Sequence, residues 1–249
     1  MKKILIVVAL TLVFSSAYAV QKTVMLKCDK DSYTSLLSPD TNYGKAPELD
    51  SQTKFTYNGT TYSNRDSKIS YFHYAIPTEL TGKVKVVSAV FFMYVSLYKA
   101  TTPYKAGKAI YYAGLYPCMG EWGESTITFN NSPNSSGPAF FEIDSATGDY
   151  KPTTGYNQFK LASYGVQLLQ KAVNTGSYAG MALYVDISGP TTTDPLLVGD
   201  YSHLLRIVSR DVPKKMPYIN LSYEVLTGNM INGSNINSAT LGEVKAKYH

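Results

Sequence analysis

The stretch "YINLSYEV", Tyr218–Val225, sets Ile219, Leu221, Tyr223 and Val225 on one side of an extended chain and Asn220, Ser222 and Glu224 on the other. Such alternation marks a strand with one face in a core and the other in water. Working outward, "ISYFHYAI" (Ile69–Ile76) alternates in the same way, and "VVSAVFFMYVSLY" (Val86–Tyr98) is almost continuously apolar. The β-branched and aromatic content of the latter predicts a long central strand rather than a helix. In "FTYNGTTY" (Phe55–Tyr62), Asn58-Gly59 stands between two β-prone arms, a hairpin signal.

Further strands are expected at "TVMLKC", "SYTSL", "AIYYAGLY", "STITFN", "AFFEI", "YNQFKL", "AGMALYVD" and "LLRIVS", with turn clusters between them. One segment keeps helical period. In "ASYGVQLLQKAVNTG", Ser163 is positioned to cap, Val166, Leu169, Ala172 and Val173 share a face, and Gly176 follows as a stop. The expectation is an all-β fold, a single β-sandwich with one short helix.

Residues 1–19 read as a secretory leader, with Lys2 and Lys3, an apolar run from Ile4 to Phe14, and the small-residue ending Ala17-Tyr18-Ala19. Its removal lowers the net charge of +5 by the two lysines. The sandwich domain is expected over 20–227 and a polar, flexible tail over 228–249. These features predict a protein secreted to the extracellular space or cell surface, with no membrane anchorage once the leader is cut. The basic residues are scattered rather than gathered on one stripe, which argues against a nucleic-acid partner.

Cys28 and Cys118 are the only cysteines. In an oxidising compartment they are expected to pair, and a bridge closing so long a loop contributes roughly 4–5 kcal/mol. Neither belongs to a CxxC or Cys/His cluster, which argues against zinc.

Catalytic constellations are weak. His73, His203 and His249 accompany no nucleophile elbow, and Glu121 and Glu124 flank Trp122 in a setting that reads as structural. No enzyme is expected. Binding is better supplied. "SPDTNYG" (Ser38–Gly44) is a loop, and Tyr43, Lys45, Lys54, Arg65 and Lys68 on it and the neighbouring hairpin could hold a sugar chain. Aromatic rings take apolar sugar faces, while Lys and Arg attract carboxylates. The competing reading is that Asn42 and Gly44 only shape a turn. No cofactor is required, but oxygens of Asp29, Asp31, Asp40 and Asn42 could hold a structural Ca²⁺.

Six segments in order carry a resemblance: "DSYTSLLSPDTNYGKAPEL", "RDSKISYFHYAIP", "KVVSAVFFMYV", "EWGESTITFNNSP", "YGVQLLQKAVNTGSYAGMALYV" and "IVSRDVPKKMPYINLSYE". Together they resemble the DNRLRE-type domains, also grouped as carbohydrate-binding module family 96, over roughly Thr23 to Leu226. The sequence departs from that pattern at His73-Tyr74, Phe129 and Asp211, and the Phe55–Tyr62 hairpin looks inserted. The resemblance implies a β-jelly-roll and non-catalytic binding of polysaccharide, including acidic polymers such as alginate. The expected function is a lectin-like protein of the cell surface or extracellular matrix. The alternative is a structural layer, wall or filament protein that self-associates through protein–protein contacts.

Overall fold

The computed structural model describes residues 20–101, 110–135, 137–144, 152–178, 180–188 and 198–226. Its elements are β1 (Gln21–Ser35), β2 (Glu48–Tyr57), β3 (Tyr62–Tyr74), β4 (Val84–Thr101), β5 (Ile110–Pro117), β6 (Phe141–Asp144), β7 (Gly155–Lys160), α1 (Ser163–Thr175), β8 (Met181–Ser188), β9 (Gly199–Val208) and β10 (Tyr218–Val225). Every pairing is antiparallel. The leader and the tail from 228 lie outside the described residues.

Strands β1-β10-β4-β9-β2-β3 neighbour one another in that order, and a further β1–β3 pairing closes them into a six-stranded, barrel-like ring. Long strands make the closure possible by changing partner along their length. The first half of β1 pairs with β10 and its second half with β3, with a bulge at Asp29 between Cys28 and Lys30. In the same way β4 passes from β10 to β9. Strands β8, β5 and β6 continue outward from β3, and β7 adds to β4. Among the described residues the fold is thus all-β with one short helix. Where a jelly roll divides its strands between two sheets, the hydrogen bonds here run around a single one.

The core draws on this ring and on the strands and helix that extend it. Leu49, Phe72, Phe91, Met93, Val95, Leu115, Leu183 and Ile219 are fully buried. Phe141 of β6 packs on Phe91 and stacks on Phe159 of β7, which brings the β5–β6–β8 layer against the β4–β7 layer. Helix α1 covers β4 with Leu169, Ala172 and Val173.

Three local expectations change in the structure. "TVMLKC" and "SYTSL" belong to one bent strand. "STITFN" forms turns and coil instead of a strand, and its Ile127 plugs into a cluster with Trp122. Ser163 does not cap α1: the N-cap is Ala162, with no side-chain cap bond. The stop is as expected, with Gly176 at φ 73.

The expected disulfide is also absent. Cys28 and Cys118 are both free and buried. Cys28 sits in the main core with its thiol donating to the Lys30 carbonyl oxygen at 3.2 Å, whereas Cys118 packs in the separate Trp122 cluster. Each thiol is held by its own surroundings, and burial pushes that of Cys118 up to about 12.

Candidate functional site

The "SPDTNYG" loop is first a clamp. The Asn42 amide donates to the carbonyl oxygens of Glu124 (2.8 Å) and Ile127 (2.7 Å), while its Oδ1 accepts from the Gly44 N–H at 3.2 Å. At position 44 a Cβ would stand 2.0 Å from the Glu124 carbonyl oxygen, so only glycine lets the loop close. Asn42 and Gly44 thus shape the turn.

The four residues considered for calcium are not assembled as a cage. Asp29 Oδ1 lies 2.6 Å from His73 Nδ1. Buried Asp31 accepts from the Ser209 hydroxyl (3.0 Å) and the Arg210 N–H (2.6 Å). Exposed Asp40 accepts from Asn130, and Asn42 is engaged as above. Among the described residues no group of three or more His, Cys, Asp or Glu could hold a metal.

Residues considered for catalysis are engaged within the fold. Glu124 is tied to Arg210 by two hydrogen bonds of 2.7 Å. His203 is fully buried, and burial pushes its pKa down to about 4 although Nδ1 lies 3.1 Å from the Asp186 carbonyl oxygen. Trp122 is a core residue, 8 % exposed.

The five residues considered for sugar contact divide. Lys54 lines a polar cleft of about 580 Å³ with Asn64, Lys99 and Asp200. Lys45 is exposed. Tyr43 stacks on Tyr33 with centroids 4.1 Å apart, and the Lys68 ammonium stands 5.9 Å from the Tyr33 ring centroid. Lys68 donates to Asp50 at 3.0 Å, and Arg206 holds the same carboxylate through Nε (2.7 Å) and Nη2 (3.2 Å). Burial, then the Asp50 charge, pushes the Tyr33 hydroxyl up to about 12. The remaining residue, Arg65, shares a cleft of about 420 Å³ with Lys68, Tyr116, Ser135, Tyr184 and Asp186.

That cleft brings aromatic rings and charged groups together. It adjoins a second hollow of about 260 Å³ lined by Tyr112, Gly114, Glu142 and again Tyr116, Tyr184 and Asp186, so the two make one trough. Alternation builds its floor: Ala113 and Leu115 of β5 and Leu183 and Val185 of β8 point into the core, leaving Tyr112, Tyr116, Tyr184 and Asp186 outward. The Tyr116 and Tyr184 rings meet edge to face at 5.8 Å, and the Tyr184 hydroxyl is hydrogen-bonded to Ser135.

A Cβ on Gly114 would lie 2.5 Å from the Tyr116 ring, so the missing side chain is what lets that ring settle over the strand. Among the described residues Arg65 forms no salt bridge, and its guanidinium stands 5.5 Å from the Tyr62 centroid. The trough thus joins aromatic rings and hydroxyls with two cations, Arg65 and Lys68, and two carboxylates, Glu142 and Asp186, along one groove.

The sequence model of carbohydrate-binding module family 96 matches residues 22–153, slightly more than half of the chain. The chain belongs to this family. No curated protein matches it. The family-96 span carries Arg65, Lys68, Tyr112, Gly114 and Tyr116, while Tyr184 and Asp186 come from beyond it. The fold unit also continues past that span, since Glu124 within it binds Arg210 and β1 pairs with β10.

The trough tyrosines went unnoticed in the sequence because tyrosine is common, with 22 in the chain. A usable signal existed in "YAGLY", where Tyr112, Gly114 and Tyr116 fall on one side with the middle side chain deleted.

Proposed function

We propose that the protein is a secreted, non-catalytic, lectin-like binder of polysaccharide that seats one chain in the Tyr116–Tyr184 trough. The supporting observation is the meeting of these two rings with Arg65 and Lys68 in a module of a carbohydrate-binding family. A pyranose ring lies against Tyr116, its hydroxyls reach Ser135 and Asp186, and a carboxylate on an acidic chain meets the Arg65 fork. The leader at 1–19 supports secretion to the matrix or cell surface. The occupied Glu124, His73 and His203 support binding without turnover.

The filament reading finds less support. Strands β6 and β7 end the pairing order with four and six residues, short edges for adding another chain.

The test is retention of the protein on alginate, pectin, cellulose and chitin, with and without chelator, while supernatants are assayed for new reducing ends. Retention on at least one polymer without release, weakened about tenfold by Tyr116→Ala or Arg65→Ala and unaffected by Lys54→Ala, supports the trough. Sugar release, or binding indifferent to both trough variants, overturns it.

A further inference from the structure

The two outer faces of the layered fold both carry tyrosines. Phe159 of β7 stacks on Phe141 of β6 at 4.6 Å, and Phe91 of β4 lies 6.1 Å from the same ring. Phe141 is paired with Leu115 of β5. Because side chains alternate along a strand, the neighbours of these core residues point out of opposite sides of the molecule. Tyr116 leaves by the β5–β8 side, whereas Tyr94 and Tyr156, a directly opposed pair, leave by the β4–β7 side.

On that second side Tyr156 is 46 % exposed, yet it is held firmly. Tyr94 braces it at 5.3 Å and 84°, and Tyr218 at 5.9 Å and 66°. Tyr218 is itself stacked on Phe92 at 4.6 Å. The Tyr156 hydroxyl donates to the Lys214 carbonyl oxygen at 3.0 Å. An exposed ring fixed on two flanks and at its tip loses little freedom when a ligand covers it.

Lysines stand around this ring cluster. The Lys215 ammonium stands 4.5 Å from the Tyr94 ring centroid. Register puts exposed Lys160 opposite Val90 and exposed Lys27 opposite Tyr218. The outward residues of 23–27, 88–94, 156–160 and 218–222 include no carboxylate.

We infer that this face is a second polysaccharide site, taking a chain that bears carboxylates, and that the two sites let one molecule bridge two chains. A sugar ring lies on Tyr156 while its carboxylate meets Lys215 or Lys160. The acidic ligand follows from charge complementarity on the face itself, and the bridging rests on the polysaccharide reading of the trough. Two sites facing apart cannot engage one short segment together, so bivalency appears as cross-linking of separate chains.

The experiment saturates alginate-coated beads with the full chain, at a concentration where light scattering shows monomer, then washes and adds fluorescent alginate fragments. The unaltered protein is expected to capture label in proportion to the protein retained. Tyr156→Ala, and the surface variant Lys215→Glu that leaves the ring cluster in place, are expected to stay on the beads through the trough and to capture at least tenfold less label. Tyr116→Ala, held about tenfold more weakly, should still stay on in part through the second face and likewise fail to capture. Undiminished capture by both Tyr156→Ala and Lys215→Glu overturns the second site. Loss of all retention in Tyr116→Ala, with the Tyr156 and Lys215 variants retained as before, also overturns it while leaving the trough intact. No retention of the unaltered protein removes both sites as binders of this polymer.

Discussion

Arg210 grips Glu124 with two parallel hydrogen bonds of 2.7 Å, joining the turn after β9 to the segment after Trp122. The same carboxylate accepts the Asp31 N–H at 3.0 Å, and the Glu124 carbonyl oxygen accepts from Asn42. Four distant stretches of chain therefore meet at one residue, two of them, at Asp31 and Arg210, through its side chain.

Glu124→Ala removes that meeting point and leaves a half-buried guanidinium and an amide unpaired. The expected cost is about 3 kcal/mol, seen as a melting temperature lower by roughly 6–12 °C. A melting point within one degree of the unaltered protein would show that the pair is screened by water and structurally idle.

Asp31 makes stability depend on pH in an unusual sense. Burial pushes its carboxyl up to about 6, against hydrogen bonds from the Arg210 amide and the Ser209 hydroxyl that favour the charge. The folded state then holds the proton more tightly than the unfolded one. This contribution to stability is full below about pH 4, falls as pH rises to about 6 and is flat above, about 3 kcal/mol in all. Asp29 and Asp50 act oppositely. Burial raises both, but His73 on one and Arg206 and Lys68 on the other more than offset it, so their contribution is lost as pH falls through their lowered values. Urea unfolding of the protein and of Asp31→Asn from pH 4 to 7 should show the unaltered protein losing stability relative to the variant between pH 4 and 6 and no further change above. Parallel curves would mean that Asp31 ionises as an ordinary surface carboxyl.

Gly114→Ala separates binding from stability. The added methyl meets the mobile end of the Tyr116 ring rather than backbone, so the ring swings aside at a cost of about 1 kcal/mol or less. Affinity for the polymer held in the trough should drop about tenfold, as in Tyr116→Ala, while the melting temperature moves by only a few degrees. Equal affinity would place the ring outside the contact.

The cysteines give a chemical count. Both thiols are buried and pushed up by that burial, Cys28 well above its ordinary value. A thiol reagent should find none reactive in the native protein and two after denaturation without reductant. A count of zero under both conditions would establish the disulfide instead.

How much of this the sequence discloses depends on the range of the interaction. Alternation and β-branching located the strands, and Asn58-Gly59 located the β2–β3 hairpin, because these signals are local. Alternation failed at Val225, which is 40 % exposed, since a register shift between Ser222 and Tyr223 turns the strand as it leaves the core. "STITFN" has strand composition, but the Asn131 side chain accepts from the Thr128 N–H and donates to the Thr126 carbonyl oxygen, holding the segment in turns. Of the expected binding residues, Arg65 and Lys68 reach the trough. Its aromatic half comes from β5 and β8, whose approach to β3 is a matter of sheet order that no local pattern encodes.

The closure of the ring also governs the order in which the chain can fold. Val24 pairs with Leu221, and β10 lies between β1 and β4. Until Tyr218 has been synthesised, β1 and β4 each lack a neighbour, and the contacts that complete the ring span nearly the whole domain. Such late, long-range pairing makes folding slow. A growing chain therefore carries two open, hydrophobic strand edges for most of its synthesis, and the last strand to emerge is the one that shields them.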